Sequence, residues 1–179
     1  MNHILHLKLK IKLKELKMLN KIENKYSNIL ILPDIRSAIN VGAIFRTADA
    51  VGIDKIYLVG WTPRPTDQFG RVQKDIGKSA LGAETWIPWE YKEKLLPMIV
   101  SLKGEGYEVV ALEQSIDSID YRKYKKPNKL AFILGPEVTG LDKKILKKCD
   151  KVVEIPMYGK KESLNVSVAA GVALFRILR

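Results

Sequence analysis

Five short apolar segments constrain the fold of this chain more than any other feature. They read NILILP, KIYLVG, YEVVAL, LAFILG and KVVEIP, at residues 28–33, 55–60, 107–112, 130–135 and 151–156. Their apolar residues are nearly continuous, as in strands that are covered on both faces. Between or after them lie helical patterns, at about 38–51, 90–102, 142–148 and 164–178. This alternation predicts an α/β domain with a mainly parallel sheet and flanking helices.

Charge and residue usage restrict the partners and the chemistry. The chain has 31 basic and 20 acidic residues, a formal charge of +11, which favours nucleic acid as a partner over a merely basic surface. Cys149 is the only cysteine, so no intramolecular disulfide can form, and we expect a cytoplasmic protein. The only histidines are His3 and His6, both in the N-terminal 25 residues. Their position argues against a metal site and against a histidine-based hydrolase triad.

Two common phosphate-binding motifs are absent from the sequence. The segment DIRSAINVG follows the first predicted strand without the G-x-G-x-x-G pattern of dinucleotide-binding proteins. The segment GKKES at residues 159–163 resembles a Walker loop, but Glu154 stands where that loop requires a glycine. These absences argue against an unrelated nucleotide-binding enzyme of the doubly wound type.

Residues 1–25 differ from the rest of the chain, residues 26–179, which we predict to be one domain. They alternate leucine or isoleucine with lysine, a strand pattern, but their leucine, lysine and glutamate content favours a helix. We interpret them as an irregular or helical basic arm. Three explanations of this arm stay open: an RNA-binding arm, a solvated extension, and a natural start at Met18 with the upstream residues not part of the protein.

The segment from Trp61 to Lys78 is long, polar and interrupted by prolines and a glycine, which predicts a functional loop. Trp61 and Phe69 are suited to stacking on RNA bases, and a mobile surface loop is the alternative. The basic residues predicted to bind RNA in this loop are Arg64, Arg71, Lys74 and Lys78.

Three further segments combine a strand end with polar residues and the start of a helix. In the first, Ser37 is a candidate N-cap. Gly42 lies inside the predicted helix, which indicates that another group packs closely against its face, and Arg46, four residues later, lies on the same face. In the second, Glu137 follows a strand directly, where ligands bind in open α/β sheets, although a helix-entry charge explains it equally well. In the third, Ser163 is a candidate N-cap for a helix that begins near Leu164.

Together these segments resemble the SPOUT superfamily, in particular the TrmH/SpoU branch of RNA ribose 2′-O-methyltransferases. The motifs and matching residues are N-x-G-x-x-x-R (Asn40, Gly42, Arg46), L-G-x-E-x-x-G-L (Leu134–Leu141) and I-P-M-x-G-x-x-x-S-L-N-V-S-V-A (Ile155–Ala169). In the second motif, Pro136 and Val138 differ from the residues that many relatives have at these positions. The motif spacing and its acidic residue, Glu137, are kept. The resemblance extends from Ile29 to the C-terminus.

The resemblance implies a C-terminal trefoil knot and S-adenosylmethionine-dependent methylation of a ribose 2′-hydroxyl in tRNA or rRNA, without a metal. It implies that the cofactor pocket is lined by Leu112, Leu134, Gly135, Ile155, Met157 and Leu164. It implies that the catalytic set is Arg46, Asn40, Glu137, Ser163 and Asn165. Because arginine is a poor base, we expect Arg46 to stabilise alkoxide charge or to position a phosphate that accepts the proton.

The last predicted helix, LNVSVAAGVALFRIL, is apolar on nearly every face and is therefore expected to be buried. The family dimerises through this region, so the resemblance implies a homodimer with RNA lying across both subunits. A non-catalytic RNA-binding protein on the same fold is the alternative function, and the intact set of polar motif residues argues against it.

Overall fold

The structure is a computed structural model that describes residues 27–136 and 139–179. The predicted arm at residues 1–25 and Glu137 lie outside the described residues. The strands are β1 (Asn28–Pro33), β2 (Lys55–Val59), β3 (Trp89–Lys92), β4 (Glu108–Leu112), β5 (Ile119–Asp120), β6 (Leu130–Leu134) and β7 (Lys151–Glu154). The helices are α1 (Ala38–Val51), α2 (Lys74–Ala80), α3 (Ala83–Trp86), α4 (Leu95–Gly104), α5 (Lys143–Leu146) and α6 (Val166–Leu178), with a 3₁₀ turn at Tyr121–Lys123.

All described strand pairs are parallel, in the order β3-β2-β1-β6-β4-β7-β5. This architecture confirms the predicted α/β class with its parallel sheet and flanking helices. The five predicted strands are present, and the two edge strands β3 and β5 were missed. The trefoil knot stays a prediction.

The prediction of a helix at residues 90–102 is wrong for its first part. Residues 89–92 form β3, and α4 begins only at Leu95. Strand β3 pairs with β2 along one edge, from Trp89 opposite Ile56 to Lys92 opposite Val59. Its four residues, WEYK, are all half-buried, so the segment lacks the continuous apolar character of the central strands.

Alternate residues of the central strands enter two separate cores. On β1, Leu30 and Leu32 face the core beneath α1, α2, α3 and α6. On the other face, Ile29 and Ile31 belong to the core beneath α4. Because both faces are covered, the strands read as apolar runs, and their polar neighbours collect at the strand ends.

Helix α1 begins as predicted, since the Ser37 side chain accepts a hydrogen bond from the Asn40 backbone N–H at 3.2 Å. The close approach predicted at Gly42 is made by helix α2. A Cβ atom at Gly42 would overlap the Ile76 carbonyl oxygen and the Ser79 hydroxyl. Gly42 therefore serves helix packing, which leaves Arg46 as the exposed member of that helix face.

Two other local predictions need correction. The end of the predicted 61–78 loop is helical, because α2 begins at Lys74. Ser163 does not cap the last helix: α6 begins at Val166, and the Asn165 side chain is the cap, accepting the Ser167 backbone N–H at 2.9 Å. Among the described residues, no helix is long and apolar enough to cross a membrane.

Candidate functional site

A cavity of about 340 Å³ opens at the carboxyl ends of three neighbouring strands, β6, β4 and β7. This is the edge at which open α/β sheets bind ligands. All six residues predicted to contact a cofactor line it: Leu112, Leu134, Gly135, Ile155, Met157 and Leu164. The structure thus brings together residues that are up to 52 positions apart in the sequence.

The cavity is lined by apolar side chains together with polar and acidic ones. Leucine, isoleucine and methionine side chains form walls suited to a flat aromatic group. The charged residues among the described lining residues are all carboxylates: Glu113, Glu154 and Glu162. In a chain with a formal charge of +11, this arrangement disfavours a phosphate-bearing ligand and suits a cationic one.

Two loops complete the cavity, and each is fixed by hydrogen bonds from the segment after β4. The first cavity loop, described at residues 135–136 and 139–142, has its Leu141 N–H bonded to the Glu113 carboxylate at 2.8 Å. The second cavity loop, residues 155–165, has its Glu162 carbonyl bonded to the Gln114 side-chain amide. Both loops are therefore tied to the same point at the end of β4.

The second cavity loop has another attachment at its tip. The Arg122 guanidinium donates a hydrogen bond to the Tyr158 hydroxyl at 2.9 Å. Arg122 also hydrogen-bonds to the Asp120 side chain, which lowers the pKa of Asp120 to about 2. The ion pair therefore remains intact at any pH near neutrality and keeps Arg122 directed at the loop.

The predicted catalytic residues divide into two groups. Ser163 lines the cavity, and the Asn165 amide donates to the Asn40 side-chain oxygen at 3.3 Å, joining the starts of α6 and α1. Arg46 is exposed on α1, about 9 Å further along the helix axis than Asn40, and it does not line the cavity. In the described part of the chain, no hydrogen bond or ion pair engages the Arg46 guanidinium.

The residues predicted to bind RNA lie around a second cavity of about 460 Å³, or on the helix that follows it. Arg64 stacks on the Tyr91 ring at 4.4 Å, and Arg71 pairs with Asp67 at 2.6 Å. The Arg71 backbone N–H and guanidinium both lower the pKa of Asp67. Lys78 pairs with Asp75 at 3.4 Å, and Lys74 is exposed.

Nothing in the described ranges adds a metal site or an activated thiol. Among those residues, no group of three histidine, cysteine or acidic side chains is close enough to hold a metal ion. Burial raises the pKa of the Cys149 thiol to about 11, so the thiol is protonated at neutral pH and is a poor nucleophile.

Sequence reasoning missed Glu113 and Gln114, which line the cavity and hold its loops. A usable signal was present, because both residues follow a predicted parallel strand directly. The rule that polar residues at such strand ends are candidate site residues applies to them as it does to Glu137.

An open parallel α/β sheet with a cavity at the ends of three strands is typical of a protein that binds a small molecule there. The chain belongs to the SpoU rRNA Methylase family, whose model matches residues 27–175. This match confirms the resemblance on which the site residues were predicted.

Relatives support the family assignment over most of this chain. A putative TrmH family tRNA/rRNA methyltransferase of Staphylococcus saprophyticus is 33% identical over 159 residues, covering 89% of this chain and 61% of the relative. The Staphylococcus aureus protein of the same description is 32% identical over 153 residues, covering 86% and 59%. The chain therefore spans about three fifths of the length of these curated relatives.

Solved structures agree with this fold. The AdoMet-bound rRNA methyltransferase of Sinorhizobium meliloti has a TM-score of 0.76 and 29% identity, over 88% of this chain and 58% of that one. The TrmH/SpoU tRNA modifying enzyme of A. aeolicus has a TM-score of 0.71 and 28% identity, over 91% of this chain and 80% of that one.

Proposed function

We propose that the protein transfers a methyl group from S-adenosylmethionine to a ribose 2′-hydroxyl of tRNA or rRNA. The observation that carries the proposal is the convergence of six motif residues on one cavity at the ends of β4, β6 and β7. Membership of the SpoU rRNA Methylase family supports it, as do the tRNA/rRNA methyltransferase descriptions of the Staphylococcus relatives.

The cavity fits this cofactor in shape and charge. Its volume of about 340 Å³ lies within the range of ligand pockets, and its apolar walls suit an adenine ring. Glu113, Glu154 and Glu162 favour a ligand that carries a sulfonium and an ammonium group. An AdoMet complex is known for the Sinorhizobium meliloti relative.

The residues of this chain then act on the nucleophile. S-adenosylmethionine supplies a methyl group that is already activated, so no metal is needed. The 2′-hydroxyl must be held in line with that methyl group and must lose its proton. Arg46, whose guanidinium is unengaged among the described residues, stabilises the developing alkoxide or positions the phosphate that accepts the proton.

Polar motif residues orient the reactants. The contact between Asn165 and Asn40 links the start of α1, on which Arg46 lies, to the second cavity loop. Ser163 at the cavity rim offers its hydroxyl to the ribose or to the cofactor. Glu137 belongs to the same catalytic set through its motif position.

RNA recognition is assigned to the loop and helix around the second cavity. Within residues 27–136 and 139–179, Arg71 and Lys78 form ion pairs with Asp67 and Asp75, and no ion pair involves Arg64 or Lys74. Arg64 and Lys74 are therefore the stronger candidates for contact with RNA phosphates. Trp61 offers an exposed ring to a base. We expect the protein to act in the cytoplasm, where its RNA substrates are.

A homodimer is the proposed assembly. Helix α6 buries one face, but Val168, Val172 and Phe175 on the opposite face are 38–50% exposed. Ile39 on α1 adds a further apolar side chain that is 61% exposed. Exposure of such a face is costly in a monomer, and a second copy would cover it. Light scattering that finds a dimer near twice the 20.3 kDa chain mass supports this assembly, and a monomer contradicts it.

The decisive experiment separates methyl transfer from cofactor binding. With Arg46→Ala, labelled-methyl transfer to RNA should fall by about a thousandfold, while calorimetry finds S-adenosylmethionine bound as in the wild type. Arg46→Lys retains the charge without the planar fork and should stay strongly impaired. Lys147→Ala, at another exposed basic position, is the control.

Two outcomes would redirect the proposal. Full methylation by Arg46→Ala removes the assigned role of that residue. Wild-type protein that binds RNA but neither binds the cofactor nor transfers a methyl group supports the non-catalytic RNA-binding alternative. Mapping 2′-O-methyl positions in total RNA, with and without the gene, identifies the nucleotide.

A further inference from the structure

Two consecutive residues after β4 contact both loops of the cavity. Strand pairing continues past Leu112, because the Glu113 backbone N–H donates to the Val153 carbonyl at 2.9 Å. This bond fixes the backbone of Glu113 against β7. The side chains of Glu113 and Gln114 then extend from a rigid point towards the first and second cavity loops.

The Glu113 carboxylate has a defined position. Its Oε2 atom accepts the Leu141 N–H at 2.8 Å, and its Oε1 atom accepts the Gln114 N–H at 3.0 Å. Hydrogen bonds to a charged acceptor are stronger than those between neutral groups. The carboxylate therefore determines where the first cavity loop runs relative to the end of β4.

The glycines of the first cavity loop leave room for this carboxylate. A Cβ atom at Gly140, whose φ is +64°, would lie 2.7 Å from Glu113 Oε2. A Cβ atom at Gly135 would lie 3.1 Å from the same oxygen. A side chain at either glycine would therefore crowd the Glu113 carboxylate. This explains why the motif has glycine at both positions next to Glu113, a residue outside the three motifs.

Gln114 makes the corresponding contact on the other side. Its side-chain amide donates to the Glu162 carbonyl, one residue before Ser163. The loop that carries Ile155, Met157 and Leu164 into the cavity is thereby held at its far end. One dipeptide sets the separation of the two cavity walls.

We propose that Glu113 and Gln114 are positioning residues for the cofactor, an inference that rests on the proposed function. They hold the first and second cavity loops at the separation that an adenosine group requires. Removing either side chain lets one wall move, which weakens cofactor affinity. The second cavity and its RNA-binding residues lie beyond β1 and β2, so RNA affinity is not affected.

The test measures S-adenosylmethionine binding to full-length variants by calorimetry. Glu113→Ala should raise Kd about tenfold, as expected for loss of a hydrogen bond to a charged group. Glu113→Gln keeps an oxygen that can accept the Leu141 N–H and should recover part of the affinity. Gln114→Ala should raise Kd by roughly threefold, the effect of one neutral hydrogen bond. Asp117→Asn, an exposed acid in the same segment, is the control.

A second readout needs no cofactor. Amide hydrogen exchange in the unliganded protein should be faster at Leu141 in Glu113→Ala and close to wild type in Glu113→Gln. The KM for RNA should stay unchanged in all variants. Weaker cofactor binding with an unchanged KM for RNA indicates loop positioning. A general loss of structure would instead weaken the binding of both the cofactor and the RNA.

The outcomes separate this inference from the proposed function. Wild-type Kd in both alanine variants overturns the positioning role and leaves the function intact. Wild-type protein that binds no S-adenosylmethionine overturns the function, and exchange at Leu141 then decides whether Glu113 holds the loop. If Glu113→Ala does not fold, Gln114→Ala decides, because the Gln114 side chain is exposed.

Discussion

The carboxyl ends of β1 and β2 are closed by polar contacts, whereas those of β6, β4 and β7 surround a cavity. At the closed end, the buried Thr62 hydroxyl donates to the Leu32 carbonyl at 2.7 Å and accepts the Ile35 N–H at 3.0 Å. The Asp34 carboxylate accepts the Trp61 N–H at 2.9 Å. These bonds join residues within three positions of the ends of β1 and β2, so the two strand ends are tied directly to each other. The second cavity begins beyond them.

At the open end, the side-chain contacts reach residues that lie further past the strand ends. Glu113 reaches Leu141, seven residues past the end of β6, and Gln114 reaches Glu162, eight residues past the end of β7. The two loops held in this way enclose the cavity. Polar contacts between residues next to the strand ends support stability, whereas contacts to residues in longer loops leave room for a ligand. Variants of the polar contacts at the closed end should lower stability without changing cofactor affinity, and variants at the open end should lower cofactor affinity more than stability.

The largest effect is expected from Thr62→Val at the closed end. Two buried backbone groups lose their partner, which should reduce the free energy of unfolding by about 3 kcal/mol and Tm by roughly 10 °C. Cofactor Kd should stay at the wild-type value. Thermal unfolding by circular dichroism checks this, with Thr85→Val at an exposed hydroxyl as the control. A raised cofactor Kd at temperatures where the variant is folded would show that the closed end also supports the cofactor cavity.

Gly140→Ala at the open end should show the opposite pattern. The new methyl group meets the Glu113 carboxylate in a left-handed backbone conformation, so we expect cofactor Kd to rise about tenfold, with a loss of stability of about 1 kcal/mol. Gly106→Ala is a matched control, because its φ is +87° and nothing lies within 4 Å of a Cβ there. Equal cofactor affinity in the two variants would contradict the role of the contact.

A smaller effect is expected from Asp34→Ala. Asp34 has a φ of +52°, and its bond to the Trp61 N–H is exposed, so its loss should cost about 1 kcal/mol of unfolding free energy. Asp34→Gly removes the same bond but relieves the backbone conformation and should be closer to wild type. Urea unfolding measures both. Greater stability of the alanine variant than of the glycine variant would show that backbone strain is unimportant here.

The smallest change in stability is expected from Trp61→Ala, because the Trp61 side chain is 88% exposed. Unfolding free energy should change by less than about 0.5 kcal/mol. RNA affinity should fall by about tenfold if the ring stacks on a base. Trp86→Ala, another exposed tryptophan, is the control in a filter-binding assay. Unchanged RNA affinity would remove Trp61 from the proposed RNA surface.

The sequence allowed the central sheet to be predicted because buried parallel strands are apolar throughout. Strand β1 matches the predicted range, and so does helix α1, which has a serine cap and a glycine just after its end. Edge strands were missed because half-exposed residues carry no such signal, as in β3, and because β5 has only two residues. The start of α6 was misplaced because Ser163 and Asn165 are both good caps.

The cavity-lining residues came from the motif resemblance, not from periodicity. Local patterns place Leu112, Leu134 and Ile155 at strand ends, but they do not say which strands are neighbours in the sheet. That order depends on β6 lying between β1 and β4, a long-range arrangement. The contacts of Glu113 and Gln114 were out of reach for the same reason, since their partners are 28 and 48 residues away.

The strand order also has a consequence for synthesis on the ribosome. Strands β1, β2 and β3 emerge first and pair with one another, but β4 pairs only with β6 and β7, which are translated later. Until Leu130–Leu134 emerge, the nascent chain carries unpaired apolar edges on β1 and β4, and such edges template aggregation. We therefore expect chains arrested before β6 to depend on chaperones far more than the completed protein does.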